Sequence, residues 1–419
     1  MMRLREISFI ITLVFFMYKP SSAQEIYTLQ KALQVAKANN PLLNTQQLNI
    51  GISEADIVTA KLRPNPNLNN QTLVLTRPAS YPNNTDWYNA QNRQVWWQLT
   101  KVIQLPSQRQ AKIDLAQKST VLSQKAFGET ERNVLQDVAL KWLDVWTARK
   151  QLDILQIAKT NTDSLVSINK IRLGKEVITS TDLTRTALLA NQYALQLKSN
   201  EQIYRNELSN LKFMLGTQDN IDIDTKDDFT FVFSTKLDSL LQQALSNRSD
   251  IQAYKASIQV AESNIKLQKS LATPQPTLGM IYNPQNTVPY LGFFGAIDLP
   301  FFSRNQGEIK KSHLQKQQAE KGLQATQTLI QTELSTAYNT YQTQKQNIEQ
   351  FKDLLSKSES ILSSVKYSYL HGGTTIVDYL EAQRSWLDTQ QQYYDTLQQY
   401  RQSFIKLLYA SGLINQMAQ

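Results

Sequence analysis

Apolar residues recur along this chain with two periods, and the whole pattern occurs twice. From about 107 to 173 they step by three and four. Leu135, Val138, Trp142 and Val145 form one stripe, which resumes with a shift at Leu152, Leu155, Leu165 and Ile168. That period predicts an amphipathic helix on the order of 100 Å long, a length for which a compact monomer has no use. A second run, about 307–370, has few strong apolar positions and many Gln, Ser, Thr and Lys. A helix that polar must line water or pack through small and polar side chains. Each run meets a glycine-containing turn, Leu173-Gly174-Lys175 and His371-Gly372-Gly373. Each then returns as a shorter helix, about 182–215 and 377–411. The prediction is two αα-hairpins whose turns share one far end.

The other period is strict alternation. Val95, Trp97, Leu99, Ile103 and Leu105 share one face of a strand predicted over 94–105, and Leu291, Phe293, Ile297 and Leu299 one face of 290–299. Upstream partners are expected at 67–76 and 277–283, each just after a helix-breaking pair, Pro64/Pro66 and Pro274/Pro276. About ten alternating residues with aromatics fit an outer-membrane strand, and they also fit an ordinary soluble hairpin. In the first case Trp96, Trp97, Tyr290, Phe293 and Phe294, with Phe301 and Phe302, are girdle or lipid-facing; in the second they are core. Segment 77–90 reads as an exposed extracellular loop. Four strands cannot close in lipid, whereas three copies would supply twelve.

The duplication aligns Leu29, Leu33, Ala36, Asn39, Leu43 and Glu54 with Leu237, Leu241, Ala244, Asn247, Ile251 and Glu262. Leu105-Pro106 answers Leu299-Pro300, and Gly216 answers Gly412. A repeated unit predicts a pseudo-symmetric object. The domains follow: a signal peptide over 1–23; a first repeat over 24–216, with strands in 67–105 and a hairpin over 107–215; a connector over 217–236; and a second repeat over 237–419, with strands in 277–300 and a hairpin over 307–411.

Composition narrows the setting. Arg3 and Arg5, an apolar run over 7–17 and Ser21-Ser22-Ala23 make an export signal. The chain has no cysteine, so no disulfide, thiolate metal site or cysteine-linked lipid anchor is expected. Net charge is +9, but the basic residues are spread among Glu and Asp without a basic aromatic cluster, so nucleic-acid binding is not expected. His313 and His371 are the only histidines, far apart in sequence. There is no G-x-S-x-G, phosphate-binding loop or HExxH, so neither an enzyme nor a cofactor is expected.

Taken in order, these features resemble the TolC-type outer-membrane efflux channels. The likeness rests on the amino-terminal pattern of leucine, alanine and Asn-Asn-Pro, the Pro64-Asn-Pro-Asn-Leu68 breaker, both strand pairs and both tips. The second tip, Gly372-Gly373-Thr374-Thr375-Ile376-Val377-Asp378-Tyr379-Leu380-Glu381-Ala382, is especially close. Within the family, Leu299-Pro-Phe-Phe-Ser-Arg-Asn-Gln-Gly-Glu-Ile309 is similar to the heavy-metal efflux branch. The resemblance implies a mainly α chain with membrane β structure: a trimeric twelve-stranded outer-membrane barrel continued by a periplasmic α-helical barrel. It implies a passive duct in a Gram-negative bacterium, docking a periplasmic adaptor (membrane fusion protein) and an inner-membrane pump of the resistance-nodulation-division type, with heavy-metal cations as cargo. Alternatives are the same duct for drugs or secreted proteins, and a soluble periplasmic coiled-coil scaffold. It further implies that Asp378 and Glu381 ring the periplasmic mouth, where mutual repulsion would raise their pKa values. Thr374 stands where the best-known member has a basic gate residue. The other reading of Asp378, and equally of Asp182, is a helix cap. Leu173, Gly174 and Asp182 mark the first docking tip, and Gly372 and Gly373 the second.

Overall fold

The computed structural model describes residues 25–83, 85–227, 236–285 and 288–418. The expected signal stretch 1–23 lies outside the described residues, as do 228–235 of the expected connector. In chain order the elements are β1 (Glu25–Tyr27), α1 (Leu29–Asn39), α2 (Pro41–Lys61), β2 (Asn67–Val74), β3 (Arg93–Val102), α3 (Pro106–Gly174), α4 (Ser180–Leu215), β4 (Ile221–Ile223), α5 (Leu237–Asn247), α6 (Ser249–Leu271), β5 (Thr277–Gln285), β6 (Val288–Ala296), α7 (Gln306–Leu370) and α8 (Ile376–Ser411), with two short 3-10 turns. They fall into two compact units. One holds residues up to 44, 130–248 and 330–419; the other holds 45–129 and 249–329.

The second unit carries a four-stranded antiparallel sheet in the order β2-β3-β5-β6, which joins the strands of both repeats. The register aligns Leu68, Leu99, Met280 and Phe293 in one row across all four strands, and Asn70, Trp97, Tyr282 and Leu291 in the next. Leu68, Leu99, Met280 and Phe293 are 64%, 49%, 45% and 89% exposed. The opposite face mixes Asn69 and Gln71 on β2, Gln98 and Thr100 on β3 and Asn283 on β5 with Leu73, Trp96, Ile281, Tyr290 and Phe294. A face with apolar rows left open, opposite a mixed one, departs from the pattern of a soluble sheet and matches strands that meet lipid. Among the described residues, the outer edges of β2 and β6 have no strand partner.

That register separates the expected aromatic girdle. Trp97 and Phe293 stand on the apolar face, while Trp96, Tyr290 and Phe294 stand on the other. Neighbouring residues in a strand point to opposite faces, so the five cannot act as one belt. Strands β3 and β6 also end earlier than expected, at Val102 and Ala296, leaving Ile103, Leu105, Ile297 and Leu299 beyond them, while β5 runs on to Gln285.

The first unit packs the parts of the two hairpins over 130–215 and 330–411 around a core that includes Leu29, Leu33, Leu135, Trp142, Leu211 and Leu240, all fully buried. Its small sheet was not expected: β1 pairs in parallel with β4, inside the stretch read as an external connector, and Ile221 and Ile223 are buried. Trp142 Nε1 donates to Tyr27 O at 3.0 Å and Trp146 Nε1 to Thr225 O at 3.2 Å, tying α3 to that sheet. The predicted stripe holds at Leu135, Val138, Trp142, Val145, Leu155 and Leu165, but Ile168 is exposed and Asn169 takes the buried position.

Candidate functional site

The two hairpin tips are built alike. At the first, Glu176 N donates to Leu173 O and Val177 N to Arg172 O; at the second, Gly372 N donates to Tyr369 O and Gly373 N to Ser368 O. This paired closure requires a left-handed residue after each helix, and the residues are Glu176 (φ 59°) and Gly372 (φ 79°). Gly174, expected as the turn glycine, is instead the last residue of α3. The return helices then begin with matching capping boxes. Thr179 and Asp182 exchange side-chain-to-backbone bonds at the head of α4, and Thr375 and Asp378 do so at the head of α8. Leu173 is half-buried, and Gly373 completes the second turn.

Asp378 is committed to this local work. Its Oδ2 accepts from Thr375 Oγ1 at 2.6 Å, Thr374 Oγ1 at 2.7 Å and Thr375 N at 3.1 Å. The Thr375 hydroxyl first, then the Thr374 hydroxyl and the Thr375 amide, hold its carboxyl below the usual carboxylate value. Within one chain this is the opposite of the rise expected from a ring of like charges. Thr374 thus serves the cap of its own helix. Glu381, one turn on, is exposed, and the same exposed line of α8 continues through Ser385, Asp388, Gln392 and Asp395. Spacings of three and four place these residues in one stripe with Asp378, beside the exposed Arg384.

Behind the tips lies a polar lock that the sequence reading missed. Tyr369 Oη donates to Asn169 Oδ1 at 2.7 Å, and Asn169 Nδ2 donates to Thr186 Oγ1 at 2.9 Å. Thr186 Oγ1 in turn donates to Asp182 O at 2.8 Å. Arg172 lies 4.6 Å over the Tyr369 ring and donates to Tyr369 O at 3.2 Å. Asn169 and Thr186 are fully buried, and burial pushes the Tyr369 hydroxyl above its ordinary pKa. The surrounding wall includes Leu165, Leu189, Ile376, Tyr379 and Leu380. Polar residues at core positions of two facing helices were the available signal. The exposed His371 stacks on Tyr367 with ring centroids 4.1 Å apart. Among the described residues no group of His, Asp and Glu could hold a metal ion.

Comparison with known proteins adds three findings. Residues 240–413 match the family model of the outer membrane efflux protein. The cobalt-zinc-cadmium resistance protein CzcC of Cupriavidus metallidurans is 21% identical over 376 residues, which cover 87% of this chain and 85% of that one. Two solved structures share the fold. CusC, described for its folding and transmembrane channel formation, aligns with a TM-score of 0.73 at 16% identity over 94% of this chain and 95% of its own. The CmeC outer membrane channel of Campylobacter jejuni aligns with a TM-score of 0.70 at 15% identity over 94% and 90%.

Proposed function

We propose that this chain is a TolC-type outer-membrane efflux protein and acts as the passive exit duct of a tripartite efflux system, exporting heavy-metal cations. The observation that carries the reading is the sheet with an exposed apolar face and two unpaired edges. Unpaired backbone groups are not tolerated in lipid, so the sheet needs further strands, and three copies closing head to tail supply twelve. The long hairpins of each copy would form the helical tunnel in the periplasm.

Family members are channels and not enzymes. Here the duct role gives each feature a task. The matched tips, with Leu173, Gly174, Asp182, Gly372 and Gly373, would meet a periplasmic adaptor and, through it, an inner-membrane proton-driven pump. The exposed stripe from Asp378 through Glu381, Asp388 and Asp395 would line the mouth with carboxylates, a lining that draws cations inward. CzcC is named for resistance to cobalt, zinc and cadmium, and the acidic stripe suits cargo of that charge. No site need hold the cargo, since a duct only passes it on.

The test is to fractionate cells producing the native chain, then compare the unheated and heated protein by electrophoresis. A heat-sensitive trimer in outer membranes supports the duct. A soluble monomer in the osmotic-shock fluid favours a periplasmic scaffold and overturns it. Loss of the gene should sensitise cells to divalent metals; sensitisation to drugs alone would reassign the cargo.

A further inference from the structure

The two repeats leave the sheet differently. After β3, the chain reaches Pro106 and becomes helical at once. After β6, the corresponding Pro300 begins a non-helical turn, Pro300-Phe301-Phe302-Ser303-Arg304-Asn305, and α7 starts only at Gln306. The second repeat gives up more than a turn of helix here, and the residues gained are the least expected on a surface: Phe301 is 72% and Phe302 96% exposed.

The turn is braced. Asn305 adopts a left-handed conformation (φ 59°), and its Nδ2 donates to Gln268 O at 2.7 Å and Gln268 Oε1 at 3.0 Å on α6. Arg304 Nε donates to Pro300 O at 3.1 Å, and Gln306 Nε2 donates to Phe302 O at 3.1 Å. These bonds fix the backbone of the turn on either side of the two phenyl rings. Leu291 and Phe293 stand on the sheet's apolar face, and past the end of β6 the chain continues with Ile297, Leu299 and Phe301; all five are exposed. In sequence, the four sheet-to-helix junctions carry Lys61, Arg63, Lys101, Arg109, Lys269 and Arg304, and the segment from β6 into the first turn of α7 adds Asp298 and Glu308.

We propose that this turn is an interfacial foot: Phe301 and Phe302 enter the periplasmic leaflet at headgroup depth, and Arg304, with the neighbouring basic residues, binds phosphate groups of anionic phospholipid. The inference rests on the outer-membrane reading above. An apolar face that runs into exposed aromatics and then into cations is the order in which a lipid leaflet presents chains, interface and phosphate. A contact with a second copy would explain the aromatics but not the cations.

The absence of cysteine allows a clean test on the full chain. Single Phe302→Cys and Phe293→Cys variants carry an environment-sensitive fluorophore. The trimers are reconstituted in vesicles of phosphatidylethanolamine and phosphatidylglycerol that contain nitroxide lipids. The label at 302 should be quenched more by a nitroxide near the headgroup than by one near the chain end, and the label at 293 by a nitroxide along the chain. Quenching at 293 without quenching at 302 would overturn the foot and leave the duct intact. Iodide access at 302 would then assign the turn to water, and shielding from both quenchers would assign it to a neighbouring copy. No quenching at 293 would sink the membrane reading and the foot with it. Arg304→Gln should lower the preference for phosphatidylglycerol over phosphatidylcholine vesicles about fivefold per chain. An unchanged preference would remove phosphate recognition from the proposal.

Discussion

Asn40 and Arg248 occupy the same place in the two repeats, and each holds the end of its repeat's return helix. Asn40 Nδ2 donates to Met214 O at 2.7 Å, and Arg248 NH1 donates to Ala410 O at 2.9 Å. Beyond those carbonyls the helices close on Gly216 (φ 65°) and Gly412 (φ 75°). Arg248 is 2% exposed and also pairs with Glu333 Oε2 at 3.0 Å. The duplication therefore preserves a clasp while exchanging its chemistry.

Removing either clasp should destabilise the first unit, unequally. Asn40→Ala loses the Met214 bond and the cap that its Oδ1 gives to Leu42 N and Leu43 N, at a cost of about 1–2 kcal/mol. Arg248→Met leaves a half-exposed carboxylate and a buried carbonyl unanswered, and should cost about 3 kcal/mol. Denaturant midpoints of the two variants check the order.

The closing glycines should rank too. A Cβ on Gly216 would lie 2.2 Å from the backbone oxygen of Asn39, whereas on Gly412 it would lie 2.9 Å from the flexible Cγ of Arg248. Both Ala variants carry the left-handed penalty of about 1–2 kcal/mol. Gly216→Ala must also move backbone, so its thermal midpoint should fall clearly further than that of Gly412→Ala.

Tyr369→Phe should loosen the tips. It deletes the hydroxyl that serves the buried Asn169 and should cost about 1–2 kcal/mol. Hydrogen exchange should quicken in 165–190 and 369–390 and stay unchanged in the sheet. If the tips gate the duct, single-channel conductance of this variant should rise; uniform exchange across the chain would mean that the bond is not a local lock.

Acid provides a test of the carboxylate mouth. The Asp378 carboxyl is depressed in the folded chain, so its stabilising contribution is present above the unfolded value of 3.8 and disappears as pH falls through the lower folded value. The stability difference between the wild type and Asp378→Asn should therefore be flat from pH 8 to 5 and shrink only below about pH 4. A difference that shrinks already between pH 7 and 5 would signal that three copies bring these carboxylates close enough to repel.

Long regular segments were readable from pattern because many residues vote for each period. The hairpins over 106–215 and 306–411 and the four-strand set fall close to their expected limits. Features carried by one to three residues were not. Three-residue strands such as β1 and β4 contain no measurable alternation. Glu176 supplies a left-handed turn that glycine usually marks, so Gly174 drew attention instead. Asn169 replaces Ile168 in the buried line because its partners, Thr186 and Tyr369, come from other helices. Asp378 and Thr374 were singled out from the tip motif; the capping box that joins Asp378 to Thr375, and the added bond from Thr374, emerge only from the geometry.

The unpaired edges of β2 and β6 have a genetic consequence. In the proposed threefold ring, a sheet that borrows strands from its neighbours ties the fate of each copy to two others. A variant that folds but cannot close the ring should be dominant over the healthy allele. With both alleles expressed equally and mixing at random, only about one assembly in eight would be free of the defect, as threefold closure requires.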